Sequence, residues 1–211
     1  MTASIRPSLL AAALLGALAA AGCDRASTPP PAAQAAPSAA MAPASVEAPP
    51  VPIAAIAIAR ITGADDNPAQ GELTFTAVEG GAHVTGTLAG LAPDSEHGFH
   101  VHETGDCSAP AGGSAGKHYN PATQPHGGPE AAARHAGDMP NLRADASGNA
   151  TVDFHLTGVG VGSRDEHDLV GKAVIVHEKS DDYSTQPSGA SGTPIACGII
   201  ELPGTAPAPT P

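Results

Sequence analysis

Hydrophobic and polar residues alternate in short runs along the middle of the chain, and turn-forming residues separate the runs. In residues 72–78, for example, Leu73, Phe75 and Ala77 alternate with polar neighbours, which is the period of a strand with one buried face. No segment has a convincing helical period. Runs of this kind predict eight strands, at residues 53–61, 72–78, 82–88, 96–103, 141–145, 150–156, 172–178 and 195–202.

The connections between these runs are of two kinds. Residues 145–149 have the composition of a tight turn, so we expect the strands on either side to form a hairpin. The connections 104–140 and 179–194 are far longer than a turn. Long loops without secondary structure are usually functional in a compact domain, and we therefore expect the functional residues there.

Composition and charge narrow the class of protein. The chain has 25 glycines and 22 prolines but no tryptophan, two tyrosines and three phenylalanines. Its core must therefore consist of small aliphatic side chains, which suits a compact all-β sandwich or barrel. The formal net charge is −12, from 9 Lys and Arg against 21 Asp and Glu. Such a surface lacks the basic stripe that nucleic acid needs, and it does not favour docking to anionic lipid.

The N-terminal segment has the pattern of an export signal. Arg6 gives it a positive start, and the apolar stretch 9–22 is shorter than the roughly 20 residues of a membrane span. The stretch ends in Ala-Ala-Gly before Cys23, which resembles a bacterial lipoprotein cleavage site. We expect residues 1–22 to be a signal peptide and Cys23 to carry lipid. The protein would then be exported to the bacterial periplasm and anchored to a membrane there. Ordinary signal cleavage nearby, without lipid, is the alternative.

Proline-rich segments flank the predicted domain. Residues 23–52 consist largely of Ala, Pro and Ser, and the eight prolines between positions 29 and 52 favour extended, solvated chain. Residues 203–211 have the same composition. We therefore predict a disordered linker at 23–52, a single domain at 53–202 and a disordered tail at 203–211.

The three cysteines leave one pair inside the predicted domain. With Cys23 as the lipid anchor, Cys107 and Cys197 remain. An oxidising compartment permits a disulfide between them. Two unpaired buried thiols are the alternative that counting residues leaves open.

Six of the ten histidines have the pattern of metal ligands. His100 and His102 are two residues apart in a predicted strand, so their side chains face the same side and can reach one ion together. His177 ends the β-like run 173–177 and places a further imidazole at the edge of the core. Alone, these three residues are weak evidence for a metal site.

The long loop strengthens the metal hypothesis. It contains His118, His126, His135 and Asp138 in a Gly- and Pro-rich stretch that cannot form a core. Three histidines and one carboxylate are the ligand set of a closed tetrahedral zinc site. Scattered surface histidines are the alternative, but a solvated loop has no reason to concentrate imidazoles.

The other four histidines lack such neighbours, and we interpret them as structural or incidental. They are His83, His97, His155 and His167. His155 alternates with Phe154 and Leu156, which places it on the solvent face of its strand.

Six segments together resemble the copper/zinc superoxide dismutase family. They are GFHVHE at 98–103, GKHYNP at 116–121, HGGP at 126–129, RHAGD at 134–138, VHEKSDD at 176–182 and ACGI at 196–199. They occur in the family's order, and the resemblance covers residues 53–202. It implies an eight-stranded Greek-key β-barrel or sandwich with two long functional loops, in agreement with the number of predicted strands.

The resemblance also implies a role for each candidate ligand. The implied copper ligands are His100, His102, His118 and His177, and the implied zinc ligands are His118, His126, His135 and Asp138. His118 would thus bridge the two ions. Asp181 corresponds to the carboxylate that hydrogen-bonds one ligand histidine on each metal. Cys107 and Cys197 match the family's disulfide.

The activity that the resemblance implies is the disproportionation of superoxide to dioxygen and hydrogen peroxide, with copper alternating between Cu(II) and Cu(I) and His118 as proton donor. One position departs from the family. Pro194 stands where an arginine usually guides the anion, and residues 183–196 contain neither arginine nor lysine. Lys117 and Lys179 are the nearest candidates for this role, although both could equally be solvated surface charges. We expect a working but slower enzyme.

A different class of protein is the main alternative. A dismutase-like domain could bind copper and zinc in the cell envelope with little turnover, and the missing arginine supports this hypothesis. The complete set of seven ligands argues against it, because metal-carrying relatives often lose one or more. An inert structural lipoprotein does not account for the ligands. The sequence leaves monomer and homodimer open.

Overall fold

Antiparallel strands are the main regular structure of the protein, a computed structural model that describes residues 54–204, with residues 110–112 described by their backbone alone. Within this range there are nine strands and one 3₁₀ helix, Pro110–Ala115. The strands are β1 (Ile56–Gly63), β2 (Gln70–Val78), β3 (Gly81–Ala89), β4 (Glu96–His97), β5 (Phe99–His102), β6 (Leu142–Arg143), β7 (Ala150–Thr157), β8 (Ala173–His177) and β9 (Pro194–Glu201).

The order of the strands defines the fold class. Seven strands form one curled sheet in the order β5-β8-β9-β1-β2-β3-β7, and β4 pairs with β6 in a second sheet. Strands that are distant along the chain are neighbours, β9 beside β1 and β7 beside β3, as Greek-key connections require. The protein is a Greek-key β-barrel, and the predicted all-β fold class is confirmed.

Strand alternation decides which side chains fill the barrel. In β2, Leu73 and Phe75 are fully buried, as the sequence pattern predicts. In β1 the buried side chains are Ala57, Ala59 and Ile61, and the larger Ile56 faces outward with 40% of its surface exposed. Small residues on the inner face of β1 fit the close packing of this interior.

The predicted strand 96–103 is two strands, because the chain changes sheets at Gly98. A Cβ atom at this position would lie 2.6 Å from the Cβ of Ser191, so only glycine fits. Before Gly98, β4 pairs with β6, and after it β5 pairs antiparallel with β8. This change of sheet carries His100 and His102 onto β5, directly opposite residues of β8.

The predicted hairpin around residues 145–149 is wrong in its pairing. The turn itself forms, with the N–H of Asp145 donating to the C=O of Asn149 at 2.8 Å. The strands that it joins, however, belong to different sheets. The short β6 pairs with β4 instead, where Arg143 forms an ion pair with Glu96 at 3.0 Å.

The predicted signal peptide (1–22), Cys23 and the linker (23–52) lie outside the described residues, as does the predicted tail from residue 205 onward. In the part of the chain that the structure describes, no helix is long and apolar enough to cross a membrane.

Candidate metal centre

The long β5–β6 connection, residues 103–141, folds back against β5 and is held there by backbone contacts. His102 forms an isolated antiparallel bridge with His118, and His100 forms one with Asp138. The peptide groups of Gly137 and Tyr119 hydrogen-bond to Val101 between these bridges, at 2.9 and 2.8 Å. A Cβ atom at Gly137 would overlap the carbonyl of Val101, which explains the glycine there. As a result, the loop histidines face the strand histidines.

The first cluster contains four buried imidazoles, from His100, His102, His118 and His177. Each offers one ring nitrogen, and these nitrogens lie within 4.8 Å of one another. The Nδ1 of His100 and the Nε2 atoms of the other three are buried and have no hydrogen-bond partner among the described residues. An unsatisfied buried polar atom costs roughly 1–3 kcal/mol, so four such atoms facing each other indicate a bound ion. Four imidazole nitrogens suit copper.

The second cluster has the ligand set and spacing of a zinc site. The Oδ1 atom of Asp138 lies 2.9 Å from Nδ1 of His118, 3.0 Å from Nδ1 of His126 and 3.2 Å from Nδ1 of His135. The Nδ1 atoms of His118 and His135 are 3.4 Å apart. A tetrahedral zinc with bonds of about 2.0–2.1 Å requires ligand atoms about 3.3 Å apart, so these four atoms fit the ion.

Electrostatics distinguish the two clusters. Burial, with a further contribution from His118, lowers the pKa of His100 and of His102 to about 3, and burial lowers that of His177 to about 4. These rings are therefore neutral near pH 7, with a lone pair available for a metal. Burial favours the neutral form of Asp138, but the surrounding histidines outweigh it and hold the pKa of its carboxyl far below the ordinary value.

Asp181 orients one histidine of each cluster. Its Oδ2 accepts a hydrogen bond from Nε2 of His100 at 2.7 Å, and its Oδ1 accepts one from Nε2 of His126 at 3.0 Å. Donation from Nε2 leaves Nδ1 of each ring as the metal-binding atom. Burial alone would lower the pKa of His126, but the carboxylates of Asp138 and Asp181, on its two ring nitrogens, raise it to about 9.

Backbone carbonyls orient two more ligands. The Nδ1 of His102 donates to the C=O of Gly116 at 2.9 Å, and the Nδ1 of His177 donates to the C=O of Gly192 at 3.0 Å. Both hydrogen bonds leave Nε2 free for the first cluster. In the first cluster, each ring nitrogen without a partner therefore belongs to a ring whose other nitrogen is hydrogen-bonded. For His118, that other nitrogen lies in the second cluster, beside Asp138.

Gly189 makes room for the Asp181 carboxylate, which gives a testable prediction. A Cβ atom at this position would overlap Oδ1 of Asp181 and lie 2.8 Å from Nε2 of His126, and its φ is +66°. We expect Gly189→Ala to displace the carboxylate and weaken zinc binding by about 10- to 100-fold, measured by competition with a chelator. The control is Gly80→Ala, which has a similar φ of +76° but open space around it. Equal zinc affinities in the two variants would contradict this role for Gly189.

A cavity of about 530 Å³ leads to the first cluster. Three ligands of the first cluster and His135 of the second line it, together with Lys117, Glu103, Pro187 and Ser188. Of the two candidate anion guides, Lys117 therefore lies at the cavity, whereas Lys179 is not among its lining residues in the described chain. Pro194 begins β9 opposite His177 and is not a lining residue there either.

His97 supports a copper-site ligand, a contact that the sequence pattern did not reveal. The residue is buried, and its Nδ1 donates to the backbone C=O of His177 at 2.7 Å. Its Nε2 lies 2.7 Å from the Ser95 hydroxyl. His97 therefore has a structural role at the metal centre, because it holds the backbone of the ligand His177. By contrast, His155 is exposed, as predicted, and stacks on His83 across β3 and β7 with ring centroids 4.6 Å apart.

A disulfide joins Cys107 to Cys197, with Cα atoms 5.8 Å apart. It ties the β5–β6 connection to β9, so the loop that supplies the second cluster is anchored to the barrel. The predicted pair is confirmed.

Fold and site together define a class of protein: a Greek-key β-barrel with a copper-type and a zinc-type site that share one imidazole. Comparison with known proteins agrees. The family model for copper/zinc superoxide dismutase matches residues 69–200. Superoxide dismutase [Cu-Zn] 3 of Arabidopsis thaliana is 37% identical over 160 residues, which cover 71% of this chain and 92% of that protein.

A second relative matches over a shorter stretch of the chain, and a solved structure is also similar. Superoxide dismutase [Cu-Zn] 2 of Aquifex aeolicus is 40% identical over 114 residues, 53% of this chain and 67% of that protein. The crystal structure of the clock protein EA4 superposes with a TM-score of 0.64 at 37% identity, covering 71% of this chain and 96% of the other. The chain belongs to the copper/zinc superoxide dismutase family. It is an oxidoreductase of the superoxide dismutase type, with copper and zinc as cofactors.

Proposed function

We propose that this chain converts two superoxide anions and two protons into one dioxygen and one hydrogen peroxide. One observation carries the proposal: the ring of His118 belongs to both clusters. On the side of the first cluster, its Nε2 is buried and has no hydrogen-bond partner within residues 54–204. Its Nδ1 lies 2.9 Å from Asp138 in the second cluster.

The two faces of this ring have different tasks. Copper, when bound, supplies a one-electron redox couple, and zinc supplies a positive charge without redox chemistry. Nδ1 of His118 lies among the zinc-type ligands beside Asp138, so the ring is held from that side. Nε2 faces the first cluster, and His118 lines the cavity, so Nε2 is placed to take up a proton and to release it to the product.

Anion guidance in this chain differs from the family pattern. Residues 53–202 contain seven Lys and Arg and nineteen Asp and Glu, which gives 7 − 19 = −12 before metals are added. Superoxide is therefore repelled at long range, and local positive charge must attract it to the cavity. With Pro194 in place of the guiding arginine, we propose Lys117 as the cation that attracts the substrate, and a turnover slower than that of arginine-containing relatives.

Charge reversal at Lys117 tests this guidance. We expect Lys117→Glu to lower kcat/KM by about tenfold or more, because a charge-assisted contact is worth roughly 1.5–3 kcal/mol, and to alter the dependence of the rate on ionic strength. Lys179→Glu makes the same change of charge away from the cavity lining and should have a much smaller effect. If both variants retain the rate and salt dependence of the unmodified protein, neither lysine guides the anion.

The proposal is tested by measuring superoxide decay on the protein loaded with one copper and one zinc. Decay much faster than that of a buffer blank, at full occupancy by both metals, supports the dismutase. Full occupancy by both metals with decay no faster than that of a buffer blank would instead support a protein that binds copper and zinc in the envelope. The missing arginine is the observation that favours this second function.

We also propose that the protein is exported to the bacterial periplasm and held there by lipid on Cys23. The support is the charged start, the short apolar stretch and the cleavage pattern of residues 1–22. Mass spectrometry of the mature N-terminus tests this: a diacylglyceryl group on Cys23 is expected. A mature chain that starts elsewhere and carries no lipid would indicate ordinary signal cleavage.

A further inference from the structure

Two side-chain amides hold the backbone of the metal centre in the same way. The side chain of Gln186 accepts a hydrogen bond from the N–H of His126 at 2.9 Å and donates one to the C=O of the same residue at 2.9 Å. Asn141 accepts from the N–H of Asp181 at 2.8 Å and donates to the C=O of Asp181 at 2.9 Å. We call these two reciprocal pairs the amide clips.

Each of the two long loops supplies the amide of one clip, and that amide holds a residue of the other loop. Asn141, at the end of the β5–β6 connection, holds Asp181 of the β8–β9 connection, and Gln186 of the β8–β9 connection holds His126 of the other. Tyr183 reinforces the first clip, because its hydroxyl accepts the N–H of Asn141 at 2.8 Å and its own N–H donates to Asp181 at 2.6 Å. Among the described residues, the only further hydrogen bond of the Gln186 amide is a long one, of 3.4 Å, to the C=O of Ser184.

The second clip adjoins the cavity above the first cluster. Pro187 and Ser188, which follow Gln186 directly, form part of the cavity wall. Among the hydrogen bonds that residues 184–190 make within the described chain, only those of Gln186 reach the β5–β6 connection. The position of this wall therefore depends on the backbone of a zinc-type ligand, His126.

We infer that Gln186 is a positioning residue that couples the zinc site to the wall of the copper-site cavity. Its amide acts through the N–H and C=O groups of His126, to which it is hydrogen-bonded. Coupling between two parts of a protein is reciprocal, so zinc at His126 stabilises the wall and an ordered wall strengthens zinc binding. The inference rests on the proposed function for the identity of the ions, but its test does not need turnover.

Replacement of Gln186 by alanine tests the coupling. Each hydrogen bond changes an equilibrium constant by roughly two- to tenfold, so the loss of both should weaken metal binding at the second cluster about tenfold. Binding is measured by titration with Co(II), followed by its visible absorption, and by competition with Zn(II). Gln186→Glu retains the acceptor for the His126 N–H but places a carboxylate against the C=O, and it should weaken binding as well.

Hydrogen exchange of the segment 183–191 supplies a second readout. In the unmodified protein, exchange there should accelerate about tenfold when zinc is removed. In Gln186→Ala it should already be fast with zinc bound. After chelator treatment, the unmodified protein and Gln186→Ala should have the same unfolding midpoint. If Gln186 merely stabilised the barrel, its replacement would lower this midpoint as well.

Gln70→Ala serves as the control, because Gln70 is an exposed glutamine on β2. It should leave metal affinity and exchange unchanged. A Gln186→Ala variant whose affinity is within twofold of the unmodified protein, or whose exchange still depends on zinc, would overturn the inference. If the unmodified protein binds both ions but has no dismutase activity, the proposed function fails, while the coupling is still decided by these two measurements.

Discussion

Replacing His118 by alanine is expected to lower superoxide dismutase activity by at least about a hundredfold, the range in which loss of a positioned proton donor falls. The substitution removes a ligand from both clusters at once, because Nε2 faces the first and Nδ1 belongs to the second. Both metal affinities should therefore fall in one variant. Activity is measured on samples whose copper and zinc contents are determined in parallel.

The matched control for His118→Ala is His167→Ala, which removes an exposed imidazole that belongs to neither cluster. It should leave activity and both metal contents unchanged. If the His118 variant binds copper and zinc normally and keeps more than a tenth of the activity, the ring neither joins the ions nor supplies the proton.

Removal of the disulfide is expected to have the largest effect on stability. The bond between Cys107 and Cys197 closes a loop across a sequence separation of 90 residues. Loops of this length restrict the unfolded chain strongly, and loss of a native disulfide from a small exported domain typically costs about 2–5 kcal/mol. We expect the Cys107→Ala, Cys197→Ala double variant to lose that much free energy of unfolding, measured in urea with both metals removed by chelator.

A reductant provides the internal control for this comparison. Reduction should bring the unmodified protein to the stability of the double variant, and it should leave the double variant itself unchanged. Equal stability of the oxidised and reduced unmodified protein would mean that the bond contributes nothing to the barrel.

Local patterns predicted the strands well but not which strands pair. The alternation of Leu73 and Phe75 with polar residues reports directly on burial, and β2 has that burial. The turn at residues 145–149 also forms, yet its flanking strands lie in different sheets. A turn is a property of a few neighbouring residues, whereas pairing depends on the long-range contact between β4 and β6.

The metal centre was predictable to the extent that residue type limits chemistry. Imidazoles two apart on a strand must share a face, and a loop rich in His and Gly has few uses other than metal binding. That these residues converge on two ions with one common ring was an expectation from family resemblance. The structure brings the expected ligands together in two clusters with His118 in both.

The supporting residues could not be predicted for a physical reason. His97, Asn141 and Gln186 act through hydrogen bonds to the backbone of other residues. Backbone groups are present at every position, so such contacts leave no pattern of residue types in the sequence. An exposed glutamine in a loop looks the same in sequence whether or not its amide meets a peptide group 60 residues away.

The most direct test of the dinuclear centre is a crystal structure of the copper- and zinc-loaded protein, with anomalous scattering recorded at the absorption edge of each metal. We expect a copper peak bound by His100, His102, His118 and His177 and a zinc peak bound by His118, His126, His135 and Asp138, one on each side of the His118 ring. Two metals without a common ligand, or no copper at the first cluster, would contradict the account.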